Sequence, residues 1–252
     1  RAATVMGGVL ARAEPDGYTL MIAGTSVWVG PLLEKVDYDT LKDFAAVASL
    51  NSSPAILVIN ASLPVNSVKE LIAYAKARPG TLSYASGATG STYHLGGELF
   101  KIMAGVDILR VNYAGAGPIT QSVMRGETQM TFGSASSVAP LIKSGKLKPL
   151  AHTGANRSAL APDLPSMAAS GLPGYEVTSG NGMFAPVRTP AVIIRRLNQE
   201  INSVLALEDV KEKMLGLGLE AGASTPEEFT ARVKHELEYR DKLMKDASIS
   251  TK

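Results

Sequence analysis

Strand–helix alternation dominates the chain between residues 82 and 154: a short strand-like run, a loop, then a helix-patterned stretch, with no internal sequence repeat. Residues 82–85 lead into the loop 86–91 and a helix to Met103. Residues 108–111 lead into NYAGAGP and a helix over 118–125. Residues 130–132 lead into Gly133-Ser134 and a helix over 137–144, and LKPLAHTG closes the series as another strand. Such alternation predicts a parallel sheet with helices on both faces, an α/β fold. Outside this region, residues 2–12 read as a helix. The turn at Pro15-Asp16-Gly17 leads to a strand over 18–23. Residues 44–49 and 55–60 read as two further strands, and Ser67 with Glu70 forms a capping box for a helix that stops before Pro79-Gly80. The Pro- and Gly-rich stretch 161–190 reads as a connector crossing between units. Beyond it the pattern is helical, ending in a long helix opened by Thr225 and Glu228.

The chemistry concentrates in SYASGATGSTYHLGGELF, residues 83–100. Ser86, Thr89 and Ser91 offer hydroxyls, and Gly87 and Gly90 allow a tight turn that exposes backbone N–H groups. The loop ends where a helix begins, so free amides and the positive end of the helix dipole converge there. This is the chemistry of an anion pocket; the bland reading is an ordinary strand-to-helix turn with Ser91 as its N-cap. Tyr113 and Gly115, in YAGAG, form either a second ligand-facing loop or a plain connector. Ser134 follows a strand end, as do Thr25 and Ser26, where open α/β sheets bind ligands. Asn181, which both donates and accepts, is the candidate of the connector. His94 reads as a structural hydrogen-bonder, and Trp28 either stacks on a ligand or packs a domain edge. Neither Arg110 nor Arg125 is placed by a motif.

Other function classes are disfavoured. The net charge is +2 with scattered basic residues, so no nucleic-acid partner is expected. No apolar run reaches the roughly 20 residues of a membrane helix. The chain opens on Arg1-Ala2-Ala3, so it is expected either to be cytosolic or to have had its N-terminus removed. Cysteine is absent, which removes disulfides and thiolate chemistry, and the three histidines are far apart, so no metal and no cofactor are expected. A hydrolase using Ser91 and His94, three residues apart on one helix face, is an alternative. It lacks a GxSxG elbow, and no catalytic residue is assigned.

The strings PDGYTLMIAGTS (15–26), SGATGSTYHLGGELF (86–100) and VNYAGAGPITQSVMRGETQMTFGSASSVAPLIKSGKLKPLA (111–151) resemble the Bug family. So do DLPSMAASGLPGYE (163–176), MFAPVRTP (183–190) and STPEEF (224–229). These are the periplasmic solute-binding proteins of tripartite tricarboxylate transporters. The resemblance implies two Rossmann-like α/β domains of the periplasmic-binding-protein type II architecture, closing over a cleft that traps a small carboxylate. The domains are expected at 1–60 plus 185–252 and at 61–184, with the crossover near 161–190. The expected ligand contacts are Thr25, Ser26, Ser86, Gly87, Thr89, Gly90, Ser91, Tyr113, Gly115, Ser134 and Asn181. The expected partners are the membrane permease subunits of the transporter, or a signalling protein in a sensory variant; the protein itself is expected to be a monomer. The resemblance also implies a strand, a Pro-Gly-Gly-rich loop and a helix ahead of Arg1. These are absent from the 252 residues, so the chain is expected to be a fragment or to lack one strand of its first domain.

Overall fold

Capping residues mark many of the element boundaries in the computed structural model, which describes residues 2–33 and 35–246. Helix α1 (Ala2–Ala11) is followed by β1 (Met21–Gly24), shorter than the expected strand, and by the single turns α2 (Thr25–Trp28) and α3 (Gly30–Leu33). Asp39 caps α4 (Thr40–Asp43) by accepting the Leu41 and Lys42 amides. The long strand β2 (Phe44–Asn60) leads to α5 (Val68–Lys76), whose cap Ser67 accepts the Glu70 amide. The alternating series follows as β3 (Leu82–Ser86), α6 (Thr92–Ala104), β4 (Ile108–Asn112), α7 (Ala116–Arg125), β5 (Met130–Ser134), α8 (Ala135–Lys143) and β6 (Leu147–His152). The last elements are β7 (Thr178–Pro186), α9 (Ala191–Leu205), α10 (Glu208–Gly216), β8 (Glu220–Ala221) and α11 (Pro226–Asp246). The expected box opens α11: Thr225 and Glu228 each accept the other's backbone N–H, at 2.8 and 3.1 Å. Among the described residues no helix is long and apolar enough to cross a membrane.

The chain divides into two units, one of Arg1–Ser52 with Gly180–Lys252 and the other of Ser53–Ser179. The sequence places these boundaries at 60/61 and 184/185. They fall earlier, at 52/53 and 179/180, inside β2 and β7.

In the first unit β7 lies between β1 and β2, and β8 pairs with β2 through Asn51–Ala221 and Ser52–Glu220. The β1–β7 pairing is antiparallel. The core gathers Trp28, Phe44, Phe184 and Phe229 with Leu10, Met21 and Val233. Trp28 is part of this core: its ring lies 5.7 Å from Phe184 and 6.0 Å from Phe229, and its Nε1 donates to Glu236 at 2.8 Å. A buried aromatic ring with its N–H satisfied is a packing residue.

In the second unit the sheet order is β6–β2–β5–β3–β4. β3 runs parallel to β4 and β5, whereas β2 runs antiparallel to β5 and β6. The sheet is therefore mixed, not all parallel; alternation predicts direction only for strands joined by helical crossovers, and β2 lies outside that series. Helices do cover both faces. Ile56, Val58 and Ala85 pack with Ile119 and Val123 of α7 and Val138 of α8. On the other face α6 lies against Tyr84 and Phe132.

Two readings are corrected. The strands 44–49 and 55–60 are one, because the polar stretch between them is held extended by β8 on one side and, from Ala55, by Ser134 of β5. The connector 161–190 contains β7. Its glycines disguise it, and Gly182 is there for close approach: a Cβ would overlap the Phe229 ring. Replacing Gly182 by Ala is expected to lower stability by about 1–3 kcal/mol, read as a lower denaturant midpoint at unchanged slope.

Candidate functional site

Parallel pairing brings the predicted loops of the second unit together. In β3, Ser86 stands opposite Asn112 of β4, and Ala85 opposite Thr131 of β5. The carboxyl ends of β3, β4 and β5 thus share one sheet edge, and each feeds a helix N-terminus: α6, α7 and α8.

The loop after β3 is braced from beneath. Ser91 caps α6, its Oγ accepting the His94 amide at 3.4 Å. Gly90 adopts φ +80°, a left-handed turn that favours glycine, and donates its N–H to His94 Nδ1 at 3.1 Å. Burial, aided by the charge of Arg110, pushes the His94 imidazole down to about 4, so the ring is neutral at pH 7 and Nδ1 accepts. Ser86 is fully buried: its Oγ donates to Gly87 O at 3.1 Å and accepts from Arg110 Nε at 3.1 Å. Arg110 also donates through Nη2 to Gly87 O at 2.9 Å and through Nη1 to Thr89 Oγ1 at 3.5 Å. Ser86, expected as a ligand hydroxyl, is buried, and both hydrogen bonds of its Oγ go to the chain itself. Thr89 is exposed at its front, and Gly87 is buried.

The neighbouring turns are tied to it. The Tyr113 amide donates to Ser86 O at 2.9 Å. Gly115, at φ +105°, is the N-cap of α7 with no side-chain cap bond. Ser134 is the N-cap of α8, whose first turn begins two residues earlier than expected. Its N–H donates to Tyr93 Oη at 3.3 Å, and its Oγ donates to Ser137 Oγ at 2.9 Å. Tyr93, on the first turn of α6, lies 3.4 Å from Ser137 Oγ and so joins the α6 and α8 starts.

Thr25, Ser26 and Asn181 belong to the first unit. Gly24 pairs with Asn181, and Thr25 opens α2 directly after β1. Thr25 Oγ1 accepts from Gly180 N at 3.3 Å and lies 3.4 Å from Gly180 O. Asn51 Oδ1 accepts both the backbone N–H and the Nδ2 of Asn181, at 3.1 and 3.2 Å. Ser26 is exposed.

The family model for the tripartite tricarboxylate transporter family receptor, TctC, matches residues 2–249. The chain belongs to this family. Among solved structures, Rpa4515 of R. palustris with adipate is 34% identical, with TM-score 0.79, covering 98% of this chain and 83% of that one. MatC of Rhodopseudomonas palustris with bound malate is 26% identical, with TM-score 0.73, over 96% of this chain and 85% of that one. The periplasmic binding protein BugD is 29% identical, with TM-score 0.75, over 99% and 84%. The Bug resemblance and the α/β fold of periplasmic binding proteins are thereby shown.

TctC receptors bind solutes, and the Ser91–His94 pair is not arranged for hydrolysis. The basic Nδ1 of His94 is taken by Gly90, and the Ser91 hydroxyl is engaged at the helix cap. A groove of about 430 Å³ lies at the opposite sheet edge, lined by residues including Asn60, Tyr74, Arg78 and Gln129. Asn60 and Gln129 spend their polar atoms on the chain itself. No group of three potential metal ligands occurs among the described residues. Sequence reasoning missed Tyr93, and it set Arg110 aside. Both act through tertiary contacts that no local motif announces.

The folded state disfavours His94 protonation, whereas the unfolded chain takes the proton near the ordinary value of 6.5. Stability from this group is therefore complete above about pH 6.5 and declines as pH falls toward 4, by an amount of order 3 kcal/mol. His94→Asn is expected to remove that part of the slope in pH-dependent denaturation, and the native ring is expected to titrate near 4 by NMR.

Proposed function

We propose that this chain is a periplasmic receptor that captures a small dicarboxylate and delivers it to the membrane subunits of a tripartite tricarboxylate transporter. The observation that carries the reading lies in the second unit of this TctC receptor: three strand ends feed three helix N-termini on one sheet edge, with a guanidinium behind the central loop. Amides and hydroxyls at helix starts suit an anion. The loop GATGST has no lysine to reach a polyphosphate, which favours a carboxylate. The adipate and malate of the two R. palustris relatives support the dicarboxylate class.

Calorimetry with adipate, malate and inorganic phosphate tests the reading. A dicarboxylate is expected to bind with a one-to-one stoichiometry and to raise the melting temperature. At a thousandfold excess over Kd the stabilisation is about 4 kcal/mol. Phosphate is expected to leave both readouts unchanged. Thr89→Ala, at the exposed front of the loop, is expected to weaken binding about fivefold with the unliganded melting temperature retained. Failure of every carboxylate in a broad panel to bind would sink the proposal.

A further inference from the structure

We infer that Arg110 supplies the counter-charge of the bound carboxylate from behind the loop 86–91, and is the residue through which the site selects anions over neutral solutes. The inference rests on the receptor reading above and adds a residue to it.

Arg110 stands on β4 and is half-buried. Its three hydrogen-bond acceptors, Ser86 Oγ, Gly87 O and Thr89 Oγ1, are all neutral. Among the described residues no carboxylate lies in ion-pair contact with it. The acid on the inner face of α6, Glu98, is already engaged: it accepts from Tyr84 Oη at 2.6 Å and pairs with Lys101 at 3.2 Å. A partly desolvated cation with only neutral partners has lost hydration without gaining an opposite charge. An anion at the loop restores that balance.

The hydrogen bonds also arrange the loop for an anion. Gly87 O is the acceptor that would repel a carboxylate, and it is held by both Arg110 Nη2 and the fully buried Ser86 hydroxyl. Thr89 Oγ1 accepts from Arg110 Nη1, which leaves its own O–H to donate outward from an exposed position. A hydroxyl that accepts from a cation is the stronger donor for it. The same charge reaches His94, where it adds to burial in disfavouring the protonated ring.

The test compares native chain, Arg110→Lys and Arg110→Met by calorimetry with adipate and with adipamide, the uncharged diamide of the same length. Native chain is expected to prefer adipate, with affinity falling as salt is raised. Arg110→Met is expected to lose about tenfold or more for adipate, with little change for adipamide, and to lose most of the salt dependence. Arg110→Lys keeps the charge without the fork and is expected to retain more adipate affinity than Arg110→Met. In unliganded Arg110→Met the His94 ring is expected to titrate higher than in native chain. Should Arg110→Met fail to fold, Arg110→Gln takes its place. Adipate binding unchanged on loss of the charge overturns the inference and leaves the receptor reading intact. Equal impairment of the Lys and Met variants, for adipate and adipamide alike, assigns Arg110 to bracing alone and also overturns it. Native chain that binds no carboxylate overturns the receptor reading, and the inference with it.

Discussion

The placement of β3 between two parallel partners is the constraint on which the second unit depends. Parallel neighbours require helical crossovers, so each of β3 and β4 must leave the sheet through a turn into a helix. Because the strands point the same way, those turns emerge on one edge. The polar chemistry of residues 86–91, 113–115 and 134 is brought together by backbone pairing, before any side chain contributes. β2, antiparallel to its neighbours, and β6 extend the same sheet and bury its centre, with Leu57, Val58 and Ile59 fully inaccessible.

The loop after β3 contains almost nothing but small residues, which gives it shape without rigidity of its own. Rigidity comes from larger side chains beneath and beside it. His94 takes the Gly90 amide, Arg110 spans Ser86, Gly87 and Thr89, and Tyr93 reaches across to the start of α8. Each is a polar group buried or half-buried with a partner, the condition under which such groups hold a loop in one conformation. The neutral state of His94 belongs to this design: a protonated ring could not accept from Gly90 and would place a second cation beside Arg110.

Much of the architecture was legible because it rests on local rules. The capping pairs Ser67–Glu70 and Thr225–Glu228 mark helix starts through hydrogen bonds made within one turn. β3, β4 and β5 stand out because each short strand-like run is followed by a loop and a helix-patterned stretch. What escaped were the elements sustained by distant partners. β7 hides in a Gly- and Pro-rich stretch because its glycines are demanded by Phe229 and by the Asn51 carbonyl, far away in sequence. The polar middle of β2 is held as a strand by distant partners, β7 beside it and β8 at Asn51 and Ser52.

The sequence by itself determined the family, the α/β class and the small-residue loop that opens α6, since motif order, periodicity and helix capping are encoded in neighbouring residues. Tertiary structure decided which of those loop residues face outward. Ser86 and Thr89 are both hydroxyls three positions apart, yet one is buried against Arg110 and the other exposed. Strand direction was likewise a tertiary matter, because a strand's own residues specify burial but not the orientation of the neighbour it pairs with. The role proposed for Arg110 rests on the same kind of fact: its partners lie on another strand and loop, and among the described residues their folding together sets no carboxylate against it.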